Sequence, residues 1–142
     1  MDTTTHRTEL EPAVRRTLQT ASSGVGPAGE QLAAHHLVTD DGMDLLARNW
    51  RLSAGELRGE LDLIAVDRVG RTVVVCEVKT RKDAARFGGA VAAVSPRKRA
   101  KIRALTAAFL RDASLPYRRV RLDLIAIDLG HRPTLTHLEG AL

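Results

Sequence analysis

Gly59-Glu60-Leu61-Asp62-Leu63-Ile64-Ala65-Val66-Asp67-Arg68-Val69-Gly70-Arg71-Thr72-Val73-Val74-Val75-Cys76-Glu77-Val78-Lys79 reads as two strands, Leu61–Val66 and Thr72–Val78, joined by a tight turn over Asp67–Arg71. Branched apolar residues fill both runs, and glycine marks the turn between them. A turn centred on Val69-Gly70 predicts the register. Asp62 falls opposite Glu77, Glu60 opposite Lys79, Ile64 opposite Val75 and Val66 opposite Val73. One face is then apolar near the turn and charged at its far end, while Leu61, Leu63, Val74, Cys76 and Val78 line the other. Opposed carboxyls in such a pair have β-carbons only about 4.5–5.5 Å apart.

Like charges that close need compensation, and two kinds are open. A divalent cation fits, since Mg²⁺ is satisfied by one or two carboxylates and several waters. A salt-bridged strand end also fits, with Glu60 on Lys79 and an arginine on Asp62. Glu30 bears on the choice. It shares a helical face with Ala33, Ala34, Leu37 and Val38, so its carboxyl points toward the sheet, although the helix dipole alone can favour an acid in a first turn.

Outward from the hairpin, a helix begins near Pro27 and ends at Asp40-Asp41-Gly42. A strand over Met43–Leu52 and a polar loop over Ser53–Arg58 lead into the hairpin. Ser95-Pro96 has the form of an N-cap with proline at the first helical position, opening a helix to about Arg111 with Ile102, Leu105 and Phe109 inward. Val120–Asp128 and a short edge strand Thr134–Leu138 close the chain. The expected architecture is α/β, a mixed sheet flanked by helices in the order α-β-β-β-α-β-β. Residues 1–25 are expected to be a flexible tail and 26–142 a single domain, with Val14 and Leu18 too sparse to anchor the tail.

Composition narrows the partners. Aromatics are only 3% of the 142 residues, which argues against a stacked-base platform for single strands. Ten Arg or Lys and one acid, Asp112, lie between Arg86 and Arg121, a local charge of +9 that leaves −4 elsewhere out of the total of +5. Such segregation suits a polyanion. Arg97, Lys98, Arg99 and Lys101 crowd the start of the second long helix, where positive charge opposes the dipole, so either an external phosphate gains from them or they form a solvated face. Lys98 shares the inward face with Ile102 and Leu105, and Arg81 follows Lys79 at strand parity toward a substrate groove.

Cys76 is the only cysteine and is expected to be buried and inert. The adjacent His35 and His36 point apart and are expected at the surface, and Trp50 is expected to pack on the sheet or a subunit partner. No apolar run reaches the roughly 20 residues of a membrane span, and no leader-like apolar region opens the chain. A cytoplasmic location is therefore expected.

Taken together, Gly29-Glu30, Arg48-Asn49, Gly59-Glu60-Leu61-Asp62-Leu63-Ile64, Val75-Cys76-Glu77-Val78-Lys79-Thr80-Arg81, Gly88, Lys98 and Arg121-Leu122-Asp123 resemble the YraN-like family of bacterial proteins, from about Gly26 to the C-terminus. That family is placed in the restriction-endonuclease-like PD-(D/E)xK superfamily and is similar to archaeal Holliday-junction resolvases. The resemblance implies a restriction-endonuclease-like core and metal-assisted phosphodiester hydrolysis. It implies Asp62, Glu77, the Val78 carbonyl and Glu30 as ligands to Mg²⁺ or Mn²⁺, with Lys79 orienting water and steadying phosphate charge. Glu60 takes a supporting role, and Asp123 pairs locally with Arg121.

The expected function is a metal-dependent endonuclease acting on branched or single-stranded DNA, with Asp62, Glu77 and Lys79 catalytic. Its rivals are a non-catalytic nucleic-acid-binding module of the same fold and a protein-interaction component whose acids form structural ion pairs. The expected partner is nucleic acid, DNA first, with no membrane, and a homodimer is left open.

Overall fold

The computed structural model describes residues 4–11, 14, 16–18, 24–81, 94–130 and 132–142. The two apolar runs of the hairpin are realised as β3 (Leu57–Asp67) and β4 (Thr72–Arg81), paired antiparallel in the expected register from Asp67↔Thr72 to Leu63↔Cys76. Asp67 Oδ1 accepts the Gly70 N–H at 3.0 Å and closes the turn. Before them runs β2 (Asp44–Ala54), joined to β3 by the two residues Gly55-Glu56 rather than by the polar loop expected over Ser53–Arg58. Gly55 has φ 60°, the positive value that a two-residue hairpin turn demands and glycine accepts without cost.

Thr72–Arg81 pairs in parallel with β5 (Arg119–Asp128), which pairs antiparallel with β6 (Thr134–Glu139). The sheet has six strands because Thr4–Glu9, expected in the mobile tail, forms β1 against β6. Its order is β1-β6-β5-β4-β3-β2, so β6 is interior and not an edge. The expected helix and strand order thus gains an N-terminal strand. All six β1 residues are exposed, so it is held by backbone pairing with no buried apolar alternation to announce it. Leu18 also departs from the expectation, being 4% exposed and packed in the core.

Two helices cover opposite faces. α1 (Val25–His35) brings Ala33 and Ala34 onto Leu63, Ala65, Cys76 and Val78. α2 (Pro96–Ala113) lays Ile102 and Leu105 on Ile64, Val75 and Leu124. Ser95 Oγ accepts the Lys98 N–H at 3.1 Å as the α2 cap, with Pro96 next. Trp50, expected to pack on the sheet or a subunit partner, meets Phe109 of α2 edge-on at 5.5 Å. Leu61 corrects the face assignment, since it joins the α2 side while Leu63 joins the α1 side. The β2–β3 ladder lapses between Arg48↔Leu63 and Trp50↔Leu61, where Asn49 takes φ 49°. That break turns the alternation over at Asp62.

A π-helical turn, His36–Asp40, extends α1. Its i→i+5 bonding puts more residues in the turn, which keeps Leu37 buried but brings Val38, expected inward, out to 45% exposure. No helix among the described residues is long and apolar enough to cross a membrane.

Two glycines set the helix distances. A Cβ on Gly29 would run into the Thr80 hydroxyl of β4, and one on Gly59 would sit 2.9 Å from both Leu105 and Lys101 of α2. Gly29→Ala gains about 1 kcal/mol of helix propensity but over-packs a site whose typical cost is about 1–3 kcal/mol. A net loss of stability is expected in urea unfolding, partly recovered when Thr80→Ala removes the nearest atom.

Candidate metal centre

Past Leu63↔Cys76 the β3–β4 ladder stops, and a side chain takes over: Asp62 Oδ2 accepts the Val78 N–H at 2.9 Å. The N–H and C=O of a strand residue point to the same side, so the Val78 carbonyl faces this gap as well. Asp62 and Glu77 are 8% and 5% exposed and share a hydrogen bond between their carboxyls. Glu30 and Glu60 close the group, with carboxylate oxygens of Glu30, Glu60 and Asp62 all within 4.8 Å of one another.

Each face of the sheet supplies part of the set. Close packing of Gly29 on Thr80 delivers Glu30 from α1. The helix starts at Val25, which puts Glu30 beyond the first turn, so the dipole does not account for its place. Asn49, lifted by its left-handed backbone, lies with its amide 3.0 Å from Glu30 Oε2 and 3.3 Å from Glu60 Oε1, and donates to both when the amide is turned so that its nitrogen faces the two acids. From the other face, Lys98 of α2 brings Nζ to 3.6 Å from Glu77 Oε1, the same distance as Lys79 Nζ. Glu60 pairs with Arg51 of β2 at 2.9 Å, not with Lys79, because the short β2–β3 turn sets Arg51 directly across from it.

Burial is the main electrostatic force here. It raises the Asp62 carboxyl above its ordinary value, against the pull of the Val78 N–H, the Glu77 hydrogen bond and Lys98. It pushes Glu77 up to about 7, with the Asp62 charge adding to the rise and the two lysines opposing it. Glu30 is raised by burial, then by Asp62 and Glu60. Asp62, Glu77 and Glu30 all resist ionisation, and the oxygens that converge, from Glu30, Glu60 and Asp62, form a donor set that a divalent cation suits, with Glu77 beside it.

The remaining expected site residues lie around this core. Arg97 and Lys101 are exposed on the first turns of α2, Arg99 is half-buried beside them, and Arg81 is half-buried at the end of β4. Gly88 lies outside the described residues. Cys76 is buried, with its thiol raised by desolvation, as expected. Asp123 pairs with Arg121 at 2.9 Å as expected, and its hydrogen bonds from His137 and Arg121 hold it below the usual carboxylate range despite burial. Arg51 reaches Glu60 through strand pairing and Asn49 reaches the acids through its positive φ at a break in that ladder, neither of which a local sequence pattern shows.

The Glu77 shift has a definite sign. Its folded value lies above its unfolded one, so the stability it adds is complete below pH 4.5 and is lost as pH rises to about 7. In the metal-free protein, wild type should lose up to about 3 kcal/mol across that window relative to Glu77→Gln. Urea unfolding of both chains at a series of pH values reads the difference directly.

Residues 29–127 match the family described as "Uncharacterised protein family UPF0102". A UPF0102 protein of Mycolicibacterium gilvum is 42% identical over 120 residues, covering 83% of this chain and 93% of its own length. One from Acidothermus cellulolyticus is 42% identical over 135 residues, covering 85% of this chain and 95% of its own. With that coverage on both sides, the chain belongs to the UPF0102, YraN-like family of bacterial proteins.

Proposed function

We propose that the protein is a divalent-cation-dependent nuclease that hydrolyses phosphodiester bonds in branched or single-stranded DNA, on a restriction-endonuclease-like core similar to that of archaeal Holliday-junction resolvases. The observation that carries this reading is the meeting of Asp62, Glu77 and Glu30 with Lys79 and Lys98 where two strands separate. Asp62, Glu77, the Val78 carbonyl and Glu30 would hold Mg²⁺ or Mn²⁺. Such an ion supplies Lewis acidity toward a phosphoryl oxygen and lowers the pKa of bound water.

The chain's own groups do the rest. Lys79, on the same strand as Glu77 and 37% exposed, has room to leave the carboxylate and steady the charge that builds on phosphate oxygens. Lys98 is placed equally and approaches from the opposite face, so the scissile phosphate would sit between two ammonium groups. Asn49 and Arg51 hold Glu30 and Glu60 in orientation. Arg97, Lys101 and Arg99 extend the positive surface along α2, which suits a phosphate backbone passing the acidic end of the sheet.

Cleavage of branched, single-stranded and duplex DNA with Mg²⁺ or Mn²⁺ tests the proposal. Asp62→Ala and Lys79→Ala should each lower the rate by at least about 100-fold, the scale on which a positioned charge-stabilising group acts. Activity that survives both substitutions would sink the assignment, and salt-sensitive binding with no cleavage would make the protein a binding module. Replacing Arg97, Arg99 and Lys101 together with Ala should weaken DNA binding. The slope of log affinity on log salt should flatten by about 0.7–0.9 for each phosphate contact removed.

A further inference from the structure

A second cluster lies where the π-helical turn meets β6, with β5 between it and the Asp62–Val78 gap. His36 is 6% exposed and His137 is fully buried, contrary to the surface position expected for the His35-His36 pair. The i→i+5 turn, closed by the Asp41 N–H on the His36 carbonyl at 3.2 Å, directs His36 inward and brings Asp41 back over it. His36 Nε2 is 3.2 Å from His137 Nδ1 and 3.4 Å from Asp41 Oδ2, and His137 Nδ1 is 3.2 Å from the same oxygen.

The outer nitrogens decide the protonation of the inner ones. His36 Nδ1 lies 2.9 Å from Asp40 Oδ2, and His137 Nε2 lies 2.7 Å from Asp123 Oδ2. An ionised carboxylate only accepts, so each of these nitrogens carries the imidazole's proton. A neutral imidazole has one N–H, which leaves His36 Nε2 and His137 Nδ1 as bare lone pairs facing each other and a carboxylate oxygen. Three acceptors in mutual contact need a positive centre among them.

Their spacing identifies its class. Donors at the 2.0–2.1 Å of Zn–N and Zn–O bonds, set tetrahedrally, lie about 3.3–3.4 Å apart, and these three are 3.2, 3.2 and 3.4 Å apart. The surroundings match as well. Metal-binding histidines usually give their other N–H to a carboxylate, which fixes the ring. Here Asp123 is itself fixed by Arg121 and by the Gly140 N–H at 2.9 Å. Asp41 is 26% exposed, which opens the group to solvent.

We infer that His36, His137 and Asp41 form a binding site for a divalent transition-metal ion of the zinc class, separate from the carboxylate cluster, with a fourth position open to water. Bound there, the ion ties the end of α1 to the β6 side of the sheet.

Titration of the tag-free full-length chain with Zn²⁺ against a chromophoric chelator, alongside Co²⁺ absorption spectra, tests the site. In an Asp62→Ala background, which removes the carboxylate cluster's own affinity for Zn²⁺, one Zn²⁺ should bind per chain, with tetrahedral-type visible bands for Co²⁺. In that background Asp41→Ala and His36→Gln should each abolish stoichiometric binding, and Asp40→Ala should weaken it by about 10–100-fold, as loss of a ring-fixing carboxylate does. If His36→Gln fails to fold, Asp41→Ala decides, since that side chain reaches the surface. No Zn²⁺ binding by wild type, which would mean that a proton on an imidazole holds the cluster, overturns the inference. So does binding untouched by Asp41→Ala, or lost in Asp62→Ala.

Discussion

Everything at the candidate site depends on one hydrogen bond, from the Val78 N–H to the Asp62 carboxylate at 2.9 Å. A regular antiparallel ladder would satisfy that N–H with a backbone carbonyl of β3. Here the strands part after Leu63↔Cys76, and a side chain fills the place of the missing ladder bond. The exchange keeps a buried donor satisfied, which matters because leaving one unmet costs about 1–3 kcal/mol. It also commits Asp62 to the gap, directly beside Glu77. The like-charge contact is therefore a consequence of how the sheet ends; burial raises both carboxyls first, and the Asp62 charge adds to the rise at Glu77.

Such an arrangement needs support from both faces of the sheet, and two close approaches supply it. Gly29 lets α1 reach Thr80, and Gly59 lets Lys101 and Leu105 of α2 lie on β3. Both glycines stand next to an acid in the chain, Glu30 and Glu60. Each therefore acts twice, allowing an element to approach and setting where the neighbouring carboxyl ends. Lys98, one helical turn before Lys101–Ile102, is carried to Glu77 by the same packing.

The hairpin was legible because continuous runs of branched apolar residues and a glycine turn are local signals, and they predicted the register from Asp67↔Thr72 to Leu63↔Cys76. The helix opened by Ser95-Pro96 was legible for the same reason. What the chain hid was non-local or backbone-driven. Thr4–Glu9 has no apolar face, so nothing in its pattern distinguishes an edge strand from a tail. Glu60 found Arg51 because a two-residue turn, read as a loop, aligned β2 with it. His36 was misplaced because its partner His137 is 101 residues away and because a π-helical turn changes which side chain points inward. In the carboxylate cluster the residue types were readable, but the contribution of Asn49 was not. It depends on a positive φ at a break in the ladder.

The charges in contact at the strand end explain why a cation and a phosphate would bind there in order on the proposed reading. Glu30, Glu60, Asp62 and Glu77 face Arg51, Lys79 and Lys98, so full ionisation leaves one excess negative charge. A proton retained on Glu77, whose carboxyl titrates near 7, brings the group to neutrality, and a neutral group offers a phosphodiester no net attraction. Exchange of that proton for a divalent cation leaves one excess positive charge, matched to the single negative charge of a phosphodiester. The lysines alone do not provide this, because with Arg51 they are already balanced by Glu30, Glu60 and Asp62. On this arithmetic the basic face of α2 gathers the nucleic acid by long-range attraction. The acidic strand end accepts a phosphate only after its own excess of carboxylates has been met.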